Sequence, residues 1–507
     1  MPDMKIATID DQTIDDLLRI AVEHNPDSDV EMLQRAYDFA SVAHGGQKRK
    51  SGQPYIVHPL ATAITLAELG LDDDTIAAGL MHDVPEDTET TLDDIKKEFG
   101  KEVAFLVEGI TKLGQLKYRG IDRYVENLRR MFVAMAEDAR VILIKFADRI
   151  NNLRTLDALP PEKRRRIALE SLEIFAPIAN RLGMGEVKGQ LEDLSFPYVY
   201  PEEYNWMVNR VIPLFKEKEE FVHEFQQFLI AELKQRGIIA IDAHGRTKHI
   251  YSLYQKLIKN NRDLAKIYDL VAIRIIVDSV AKCYEALGVV HELCKPLKGR
   301  IKDYIAQPKP NGYQSLHTTV FAPKGFAPDD EKAHIVEVQI RTAEMHKEAE
   351  FGIAAHWAYD EFKHHKKIDR RVDWMQQIID MQDNLTDKDL LLESLKIDIF
   401  QNRIYAFTPR GDVIELPEDA TPVDFAYKIH TDLGHTCSGA KINDQIASLN
   451  TTLKSGDVVE IFSDPHRKGP SADWLDFVNT DTARSHIRSY LNKESRSLLD
   501  KTKDVDY

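Results

Sequence analysis

The sequence Thr75-Ile-Ala-Ala-Gly-Leu-Met-His-Asp-Val-Pro-Glu-Asp-Thr88 begins as an apolar helix and ends in a cluster of acids. Apolar residues recur at three- and four-residue spacing on both sides of it, which is typical of helices that bury one face. The segments with this spacing are Leu33–Ala43, Ala61–Leu69, Val103–Ile110, Leu128–Met135, Val141–Ile150 and Ile167–Leu182. Because β-branched runs are scarce here, the sequence predicts an all-α domain over residues 1–195, with a boundary at the Pro- and Tyr-rich stretch 195–201.

The pattern changes after a long charged helix that is expected at residues 202–237. Short strand-like runs then alternate with helical segments, which predicts an α/β domain over residues 196–370. The strand-like runs are 238–243, 270–277, 318–321 and 335–340, and the helical segments are 250–259 and 282–294.

The remainder of the chain predicts a third, smaller unit. Residues 371–395 are expected to form a helical linker. Within residues 396–463, the runs 398–407, 411–416 and 458–462 alternate like strands around one helix at 422–431, which indicates a small module of β-grasp size. Residues 464–507 are expected to begin a further helical region that buries little.

Composition limits the class of protein. With 507 residues the chain needs several domains, and it has no run of roughly 18 apolar residues such as a membrane span requires. The opening sequence MPDMKIATIDDQTIDDLL is acidic and lacks the apolar core of a secretory signal. Three cysteines without CxxC spacing argue against a disulfide framework or structural zinc, so we expect a cytoplasmic protein.

The charge balance also bears on partners. A total of 67 Lys and Arg against 83 Asp and Glu gives a net charge of −16, whereas proteins that coat DNA are usually basic. If this protein handles phosphates, it must do so with local clusters of basic residues.

A first set of metal-binding residue types lies in the helical domain. His58 precedes a proline at a helix start, His82-Asp83 ends an apolar helix, and Asp148 lies on a strongly apolar helix where a buried acid needs a partner. Alone, the His-Asp pair also fits a helix end with a solvated acidic turn. Two imidazoles and two carboxylates together suit Mn, Fe or Zn with positions open for water and phosphate.

Two further acids and a basic segment accompany this set. Glu86 or Asp87 could orient a water molecule or shuttle its proton. Pro85 cannot donate a backbone hydrogen bond and biases Val84 away from helix, so we expect the helix to end near Asp83 and a turn to carry the two acids. The segment Gln47-Lys-Arg-Lys-Ser-Gly52 supplies cations for a polyphosphate.

A second set, in the α/β domain, is basic. Arg246, Lys248 and His249 lie just before or at the start of a helix, and Lys256 follows two turns along. A basic helix N-terminus favours anions, although an amphipathic surface helix would look similar. Five more cations crowd one region, which favours a polyphosphate pocket: Lys295, Lys298, Arg300, Lys302 and Lys309.

Two acids lie on predicted strands of this domain. Asp269 opens one strand, and Glu337 shares a strand face with Gln339 and Arg341 because side chains alternate with a period of two. Two such acids suit Mg²⁺ that bridges a nucleoside triphosphate, and Glu337 could accept a hydroxyl proton. Tyr313 could stack on a base.

The N-terminal motifs resemble the HD hydrolase domain of the long Rel/SpoT (p)ppGpp synthetase/hydrolases. The resemblance rests on His44-Gly45, Arg49-Lys-Ser-Gly-Gln-Pro-Tyr-Ile-Val-His58, His82-Asp83-x-x-Glu86-Asp87-Thr88 and Asp148-Arg-x-x-Asn152. It implies manganese at His58, His82, Asp83 and Asp148, water activation by Glu86 and Asp87, and nucleotide contacts from Arg49, Lys50 and Asn152. The implied reaction removes the 3′-pyrophosphate of ppGpp or pppGpp. Pro85 and Asn151 depart from the residues that are more common in the family.

The second set resembles the family's nucleotidyltransferase-like synthetase domain through GRTKHIYSLYQK (245–256), YDLVAIRI (268–275), RIKDYIAQPKPNGYQSLHT (300–318) and VEVQIRT (336–342). The resemblance implies transfer of pyrophosphate from ATP to GDP or GTP. It implies Mg²⁺ at Asp269 and Glu337, with Glu337 activating the 3′-hydroxyl. The implied nucleotide-binding residues are Arg246, Lys248, Lys256, Arg300, Lys302, Lys309, Tyr313 and His317. Arg300-Ile-Lys-Asp303 is similar to the basic loop of bifunctional members.

Residues 396–463 resemble the TGS domain of the same family through Ala420-Thr-Pro-Val-Asp-Phe-Ala-Tyr-Lys-Ile-His430 and Gly434-His-Thr-Cys437. The resemblance implies contact with uncharged tRNA on the ribosome, with His435 as the candidate residue, although a β-grasp packing module remains an equal alternative. It covers nearly the whole chain, and long members continue into further regulatory domains. Two readings stay open beside a bifunctional enzyme: a monofunctional hydrolase, and a ribosome- or tRNA-binding regulator with degenerate catalytic domains.

Overall fold

The computed structural model describes most of the chain and divides it into two units, Met1–Asp383 and Asn384–Tyr507. The described residues are 12–114, 133–135, 137–216, 219–245, 249–263, 272–309, 311–323, 335–357, 403–410, 412–454, 456–467, 469–480 and 482–491. Within them, no helix combines the length and the apolar character that crossing a membrane requires.

The N-terminal part is helical, which confirms the all-α prediction. Its helices are α1 (Ile14–His24), α2 (Val30–Ala43), α3 (Val57–Glu68), α4 (Asp73–Met81), α5 (Val84–Asp87), α6 (Leu92–Gly114), α7 (Arg140–Arg154), α8 (Pro161–Glu170), α9 (Ala176–Arg181) and α10 (Gly185–Val199). Helix α3 is buried from His58 to Ala67, so it forms the centre against which α1, α4 and α7 pack. Side-chain caps start several helices; for example, Asp72 accepts the backbone N–H of Thr75 at the start of α4.

Helix α10 continues through Pro197 and ends at Val199, within the stretch 195–201 where the domain boundary is predicted. Phe196 is fully buried, and its ring lies 5.2 Å from that of Tyr251, so tertiary packing holds this stretch in the helix. The long helix expected at 202–237 is helical in all of its described residues up to Gln235. It consists of α11 (Pro201–Trp206), a π-helical turn (Met207–Val211), α12 (Ile212–Lys216) and α13 (Glu219–Gln235).

The next domain is built on a six-stranded mixed sheet, which confirms the α/β prediction. The strands are β1 (Asp242–Gly245), β2 (Ala272–Val277), β3 (Lys295–Pro296), β4 (Lys302–Asp303), β5 (Leu316–Phe321) and β6 (Ile335–Thr342). Their order is β1-β2-β6-β5-β3, with β4 beside β5, and only the β2–β6 pair is parallel among these described strands. The first strand lies four residues later than the predicted run at 238–243.

The helices that follow α13 in this domain are α14 (Ile250–Lys259), α15 (Val280–Leu293), α16 (Ala343–Phe351) and α17 (Ala354–Trp357). The apolar face of the sheet is covered by α13 and α15. Ile273, Val338 and Val320, from β2, β6 and β5, are fully buried in one core with α13 and α15. Because side chains alternate along each strand, the opposite face carries the polar residues.

The C-terminal unit contains the predicted small β module. Its elements are β7 (Arg403–Phe407), β8 (Val413–Pro417), α18 (Pro422–Ile429), α19 (Thr431–Thr436), β9 (Cys437–Ile442), β10 (Gln445–Ala447) and β11 (Val459–Ser463). Strands β9 and β10 were not predicted, because the sequence Cys-Ser-Gly-Ala-Lys-Ile lacks an apolar alternation. The predicted linker helix at 371–395 lies outside the described residues.

The expectation that residues after 463 bury little is wrong for the described part. Trp474, Val478, Ala483 and Ile487 are buried in one core with Tyr427 of α18. The segment therefore completes the hydrophobic core of the unit.

Candidate functional sites

His58, His82 and Asp148 converge in the helical domain. They come from the first turn of α3, the residue after α4, and the middle of α7. All three are buried, and their nearest ligand atoms lie within 4.8 Å of one another, a spacing that could hold a metal ion. Asp83 adjoins this group, with Oδ1 3.2 Å from His82 Nε2 and Oδ2 3.6 Å from His58 Nε2.

The orientation of His82 suits a metal ligand. Its Nδ1 lies 2.7 Å from the Gly79 carbonyl, which can only accept, so Nδ1 carries the proton and Nε2 the lone pair. Nε2 is buried and makes no hydrogen bond to any residue that the structure describes. Histidines that bind metals usually donate their other ring N–H to a backbone carbonyl or a carboxylate, and this hydrogen bond fixes the tautomer and the orientation of the ligating nitrogen.

Asp148 is buried but surrounded by donors. Lys145 Nζ lies 2.7 Å from Oδ2, His58 Nε2 lies 3.2 Å from Oδ1, and Asn152 donates its amide to Oδ1. Burial opposes ionisation, but the charge of Lys145 and the contact with His58 hold the pKa of Asp148 well below its usual range. Burial lowers the pKa of His58, so its ring is neutral and able to ligate.

Tyr55 was missed by the sequence analysis. Its hydroxyl lies 2.9 Å from Asp83 Oδ2 and 2.5 Å from Asp87 Oδ2, so a single proton serves two carboxylates. Burial and the charge of Asp83 raise the pKa of Tyr55, which keeps the hydroxyl a donor. Lys145 was missed as well, although its i,i+3 spacing from Asp148 on a helix was a usable signal.

The acids after Pro85 lie on a short helical turn. Helix α4 ends at Met81, Asp83 precedes α5, and Pro85 occupies the first turn of α5, where its missing N–H costs nothing. This agrees with the expected helix end near Asp83. Glu86 is exposed at the surface of the cluster, and partial desolvation together with the charge of Asp83 raises its pKa.

The basic segment at 47–54 folds back on itself as a tight hairpin beside this group. Arg49 Nη2 lies 3.1 Å from Asn152 Oδ1, so these two predicted nucleotide-binding residues are brought together. Lys50 is exposed. Gln47 donates to the Asp87 carbonyl at 2.7 Å and thereby joins the hairpin to α5.

The second site lies on the polar face of the sheet. Glu337 and Gln339 of β6 are hydrogen bonded at 2.5 Å, which confirms that they share a face. His317 on neighbouring β5 lies with Nδ1 3.5 Å from Glu337 Oε1 and with Nε2 2.8 Å from the Tyr313 hydroxyl. Lys302 pairs with His317 across β4 and β5. A carboxylate, an imidazole, a phenol and a lysine therefore share one part of this face.

Lys309 extends this group toward solvent. Its ammonium lies 4.7 Å from the ring centre of Tyr304 and 5.0 Å from that of Tyr313. The predicted cations Lys256, Arg300 and Lys302 are all exposed. Arg246, Lys248 and Asp269 lie outside the described residues.

The same face is closed at its other end. Arg341 and Arg274 converge on Glu350 of α16 at 2.9 and 2.8 Å, and these charges hold the pKa of Glu350 below its usual value despite burial. Arg341 and Gln339 are fully buried. Of the three residues predicted to share this strand face, Glu337 alone keeps a partly exposed side chain.

His435 in the C-terminal unit is half-buried. Its ring lies 5.6 Å from that of Tyr427 and 5.1 Å from that of Tyr490, and its Nε2 is buried. Burial, and then the neighbouring His486, lower its pKa. The ring is therefore packed into the unit as well as partly accessible.

Three regions of the chain match known families in the order of these sites. Residues 36–185 match the HD domain, residues 245–364 match a region found in RelA / SpoT proteins, and residues 404–463 match the TGS domain.

Relatives that align with almost the whole chain carry names for two activities. Guanosine-3′,5′-bis(diphosphate) 3′-pyrophosphohydrolase of Aquifex aeolicus is 47% identical over 96% of this chain and 68% of its own length. GTP pyrophosphokinase of Myxococcus xanthus is 46% identical over 94% and 62%. The bifunctional (p)ppGpp synthase/hydrolase SpoT of Escherichia coli is 45% identical over 93% and 66%. The chain thus spans about two thirds of the length of these relatives.

Proposed function

This chain belongs to the RelA/SpoT family, and from that membership we propose that it carries two opposed activities. One transfers pyrophosphate from ATP to the 3′-hydroxyl of GDP or GTP, with AMP as the other product. The other hydrolyses the 3′-pyrophosphate of ppGpp or pppGpp to GDP or GTP and pyrophosphate. Relatives named for each activity, and one named for both, support the proposal.

The hydrolytic activity belongs to the helical domain. His58, His82, Asp83 and Asp148 would hold Mn²⁺, since a mixture of imidazole and carboxylate ligands suits this ion. His82 Nε2 is buried and makes no hydrogen bond within the described residues, so its lone pair is available to a metal. The cation would supply Lewis acidity toward water and the diphosphate. Lys145, whose ammonium lies 2.7 Å from Asp148, keeps that carboxylate ionised and so ready to ligate.

Glu86 and Asp87 would serve the attacking water in this site. The raised pKa of Glu86 suits a group that accepts the proton of the attacking water and releases it to the departing 3′-oxygen of the nucleotide, as the bond between that oxygen and phosphorus breaks. Asp87 is held by the Tyr55 hydroxyl and would orient the water. Arg49, Lys50 and Asn152 would bind the nucleotide, with Arg49 and Asn152 already in contact.

The synthetic activity belongs to the polar face of the sheet. Glu337, with Asp269, would hold Mg²⁺, and Glu337 would accept the proton of the 3′-hydroxyl as its oxygen attacks the β-phosphorus of ATP. Tyr313, which has Lys309 at its face, would stack on guanine. The remaining cations would hold the phosphates in line, where positioning and charge stabilisation supply the rate. They are Arg246, Lys248, Lys256, Arg300 and Lys302, with His317 beside Glu337.

The observation that carries the proposal is the buried group His58, His82 and Asp148. Burying two imidazoles and a carboxylate together costs free energy that a bound metal ion would offset, whereas a purely structural helical core would gain nothing from them. The test is a thin-layer assay of both reactions on wild type, His82→Gln and Glu337→Gln. His82→Gln should lose hydrolysis at least 100-fold and retain synthesis, whereas Glu337→Gln should do the reverse. If the wild-type protein hydrolyses (p)ppGpp but does not synthesise it, the protein is a monofunctional hydrolase. If it catalyses neither reaction, the reading as a ribosome- or tRNA-binding regulator is favoured.

The family resemblance also supports binding of uncharged tRNA and the ribosome through the TGS domain, in the cytoplasm. His435 is the contact candidate because its ring is partly accessible. Binding of deacylated tRNA by wild type and His435→Ala would test it. Equal affinities, with unchanged unfolding, would remove His435 from the proposed contact.

A further inference from the structure

His44 lies at the end of α2, where it is buried beside the proposed hydrolytic site but outside the metal-binding group. Its Nδ1 lies 2.9 Å from Gln47 Oε1, and its ring stacks on that of Tyr55 with the ring centres 4.5 Å apart. Gln47 and Tyr55 both form hydrogen bonds to Asp87. His44 therefore contacts the two residues that hold this acid.

A tight turn at His44-Gly-Gly-Gln47 brings the first two side chains together. The N–H of Gln47 donates to the carbonyl of His44 at 3.0 Å, and Gly46 adopts a φ of +77°, a left-handed conformation that favours glycine. The carbonyl of Gln47 then accepts the N–H of Tyr55 at 3.1 Å. The segment thus holds the imidazole, the amide and the phenol in a defined arrangement.

The hydrogen bonds of this group have one consistent direction. The carbonyl of Asp87 can only accept, so the amide nitrogen of Gln47, 2.7 Å away, faces it. The amide oxygen of Gln47 then faces His44, and Nδ1 of His44 must carry a proton to donate to that oxygen. A path of two hydrogen bonds therefore leads from the imidazole to the last residue of α5.

A second connection reaches the carboxylate of the same acid. The Tyr55 hydroxyl lies 2.5 Å from Asp87 Oδ2, and the stacked contact with His44 limits where the Tyr55 ring can lie. Helix α5 has only four residues, so its own backbone hydrogen bonds hold it weakly. Because Glu86 precedes Asp87 in this turn, any displacement of α5 moves both acids.

The other nitrogen of His44 argues against a role in stability alone. Nε2 is buried and makes no hydrogen bond within the part of the chain that the structure describes. Burying an unpaired polar atom costs free energy, so a phenylalanine ring would fill this position with less loss of stability. What the imidazole adds is the Nδ1 donor, which phenylalanine lacks.

We propose that His44 is a positioning residue for hydrolysis, which holds Glu86 and Asp87 in place through Gln47 and through the ring of Tyr55. This role rests on the proposed function, in which the two acids serve the attacking water. A misplacement of about 1 Å in an active site can cost roughly 100-fold in rate. The three buried metal-binding side chains come from other elements, so loss of His44 should lower kcat more than metal affinity.

The kinetic test measures kcat and KM for ppGpp, the Kd for Mn²⁺ and the Tm of the full chain. His44→Phe keeps a ring and removes the donor, and Gln47→Met removes the amide with little change in shape. Each should lower kcat for hydrolysis about tenfold, with changes below twofold in KM, in the Kd for Mn²⁺ and in synthesis. The Tm of His44→Phe should not fall, because the substitution removes an unpaired buried nitrogen.

Two further variants show whether the effect belongs to this path. The double variant His44→Phe/Gln47→Met should be no worse than the poorer single variant, because both substitutions interrupt the same hydrogen bonds. Gln34→Met on α2 is the matched control, since the Gln34 amide donates within its own helix, to Asp38 at 3.1 Å. Its kcat should equal that of wild type.

Hydrogen exchange gives a measurement that does not depend on activity. The amides of residues 86–88 donate to the carbonyls of Asp83 and Val84 and so define the α5 turn. They should exchange faster in Gln47→Met than in wild type, and at the wild-type rate in Gln34→Met.

Unchanged kcat in His44→Phe and Gln47→Met would overturn the proposal, and so would unchanged exchange in the α5 turn. An equal loss of hydrolysis and synthesis with a lowered Tm would also overturn it, because that result marks a structural role alone. A wild type that does not hydrolyse ppGpp would instead refute the proposed function, and the exchange rates would still show whether His44 and Gln47 hold the turn.

Discussion

Single side chains in this protein owe their chemistry to their neighbours. Asp148 and Glu337 are both carboxylates on regular elements, but Asp148 is fully enclosed by Lys145, His58 and Asn152, whereas Glu337 contacts Gln339 and His317 at a partly open face. The first is thereby kept ionised, as its proposed role as a metal ligand requires. The second remains partly accessible, as its proposed contact with a substrate hydroxyl requires.

At this scale, Tyr55→Phe should lower hydrolysis about tenfold or more and weaken Mn²⁺ binding. The hydroxyl bridges Asp83 and Asp87, and loss of such a supporting hydrogen bond typically costs roughly 10- to 100-fold in metal affinity or activity. Titration of Mn²⁺ with the hydrolysis assay would measure both quantities. Synthesis by the same variant serves as the control, and unchanged hydrolysis would show that Tyr55 only packs.

At the scale of elements, one buried acid organises the C-terminal unit. Asp424 of α18 accepts hydrogen bonds from the backbone N–H groups of Thr421, Asn479 and Thr480 and from the hydroxyls of both threonines. It therefore caps its own helix and fastens the segment after residue 469. That segment in turn places Trp474 and Ile487 in the core.

Asp424→Asn should lower the free energy of unfolding of the unit by about 2–4 kcal/mol, because its amide group would face donors instead of accepting from them. Hydrogen exchange at the amides of Asn479 and Thr480 would measure the loss of protection. Asp432→Asn is the control, since that side chain is 84% exposed. Equal protection in both variants would contradict a central role for Asp424.

At the scale of the molecule, the chain consists of two units with separate cores. The first contains both proposed catalytic sites, and α10 packs against α7 of the helical domain and against α14 and α16 of the synthetase domain. At this junction, His249 Nδ1, just before α14, lies 2.8 Å from Oδ2 of Asp193 on α10. Its protonation therefore links the stability of the larger unit to pH.

The sign of that linkage follows from the raised pKa of His249. The stabilisation is fully present below about pH 6.5 and is lost as the pH rises through about 9, where the folded histidine deprotonates. Wild type should thus exceed His249→Gln in the free energy of unfolding by ~1–3 kcal/mol at pH 6 and by much less at pH 9.5. Urea unfolding of both proteins at these pH values would measure it, and a pH-independent difference would contradict it.

Much of the architecture followed from local patterns. The helical periodicity before residue 195 predicted the helices of the first domain, because each helix buries one apolar face. The apolar runs of β2, β5 and β6 predicted those strands, because they lie in the core of a sheet. Local signals are weakest where packing opposes them. Helix α10 runs through Pro197 to Val199, because Phe196 is fully buried. Strand β9 is polar and small, so only its pairing with β10 and β11 defines it.

The sequence by itself determined the order of domains, the family, and the acids and histidines on which each proposed site depends. These features depend on residue type and on short spacing, which motifs record directly. Only the tertiary structure decided that His82 Nε2 lies 3.9 Å from Asp148, that Tyr55 bridges two carboxylates, and that His249 contacts Asp193. Such contacts join residues 28 to 66 positions apart, and folding in three dimensions, not spacing along the chain, brings them within hydrogen-bond reach.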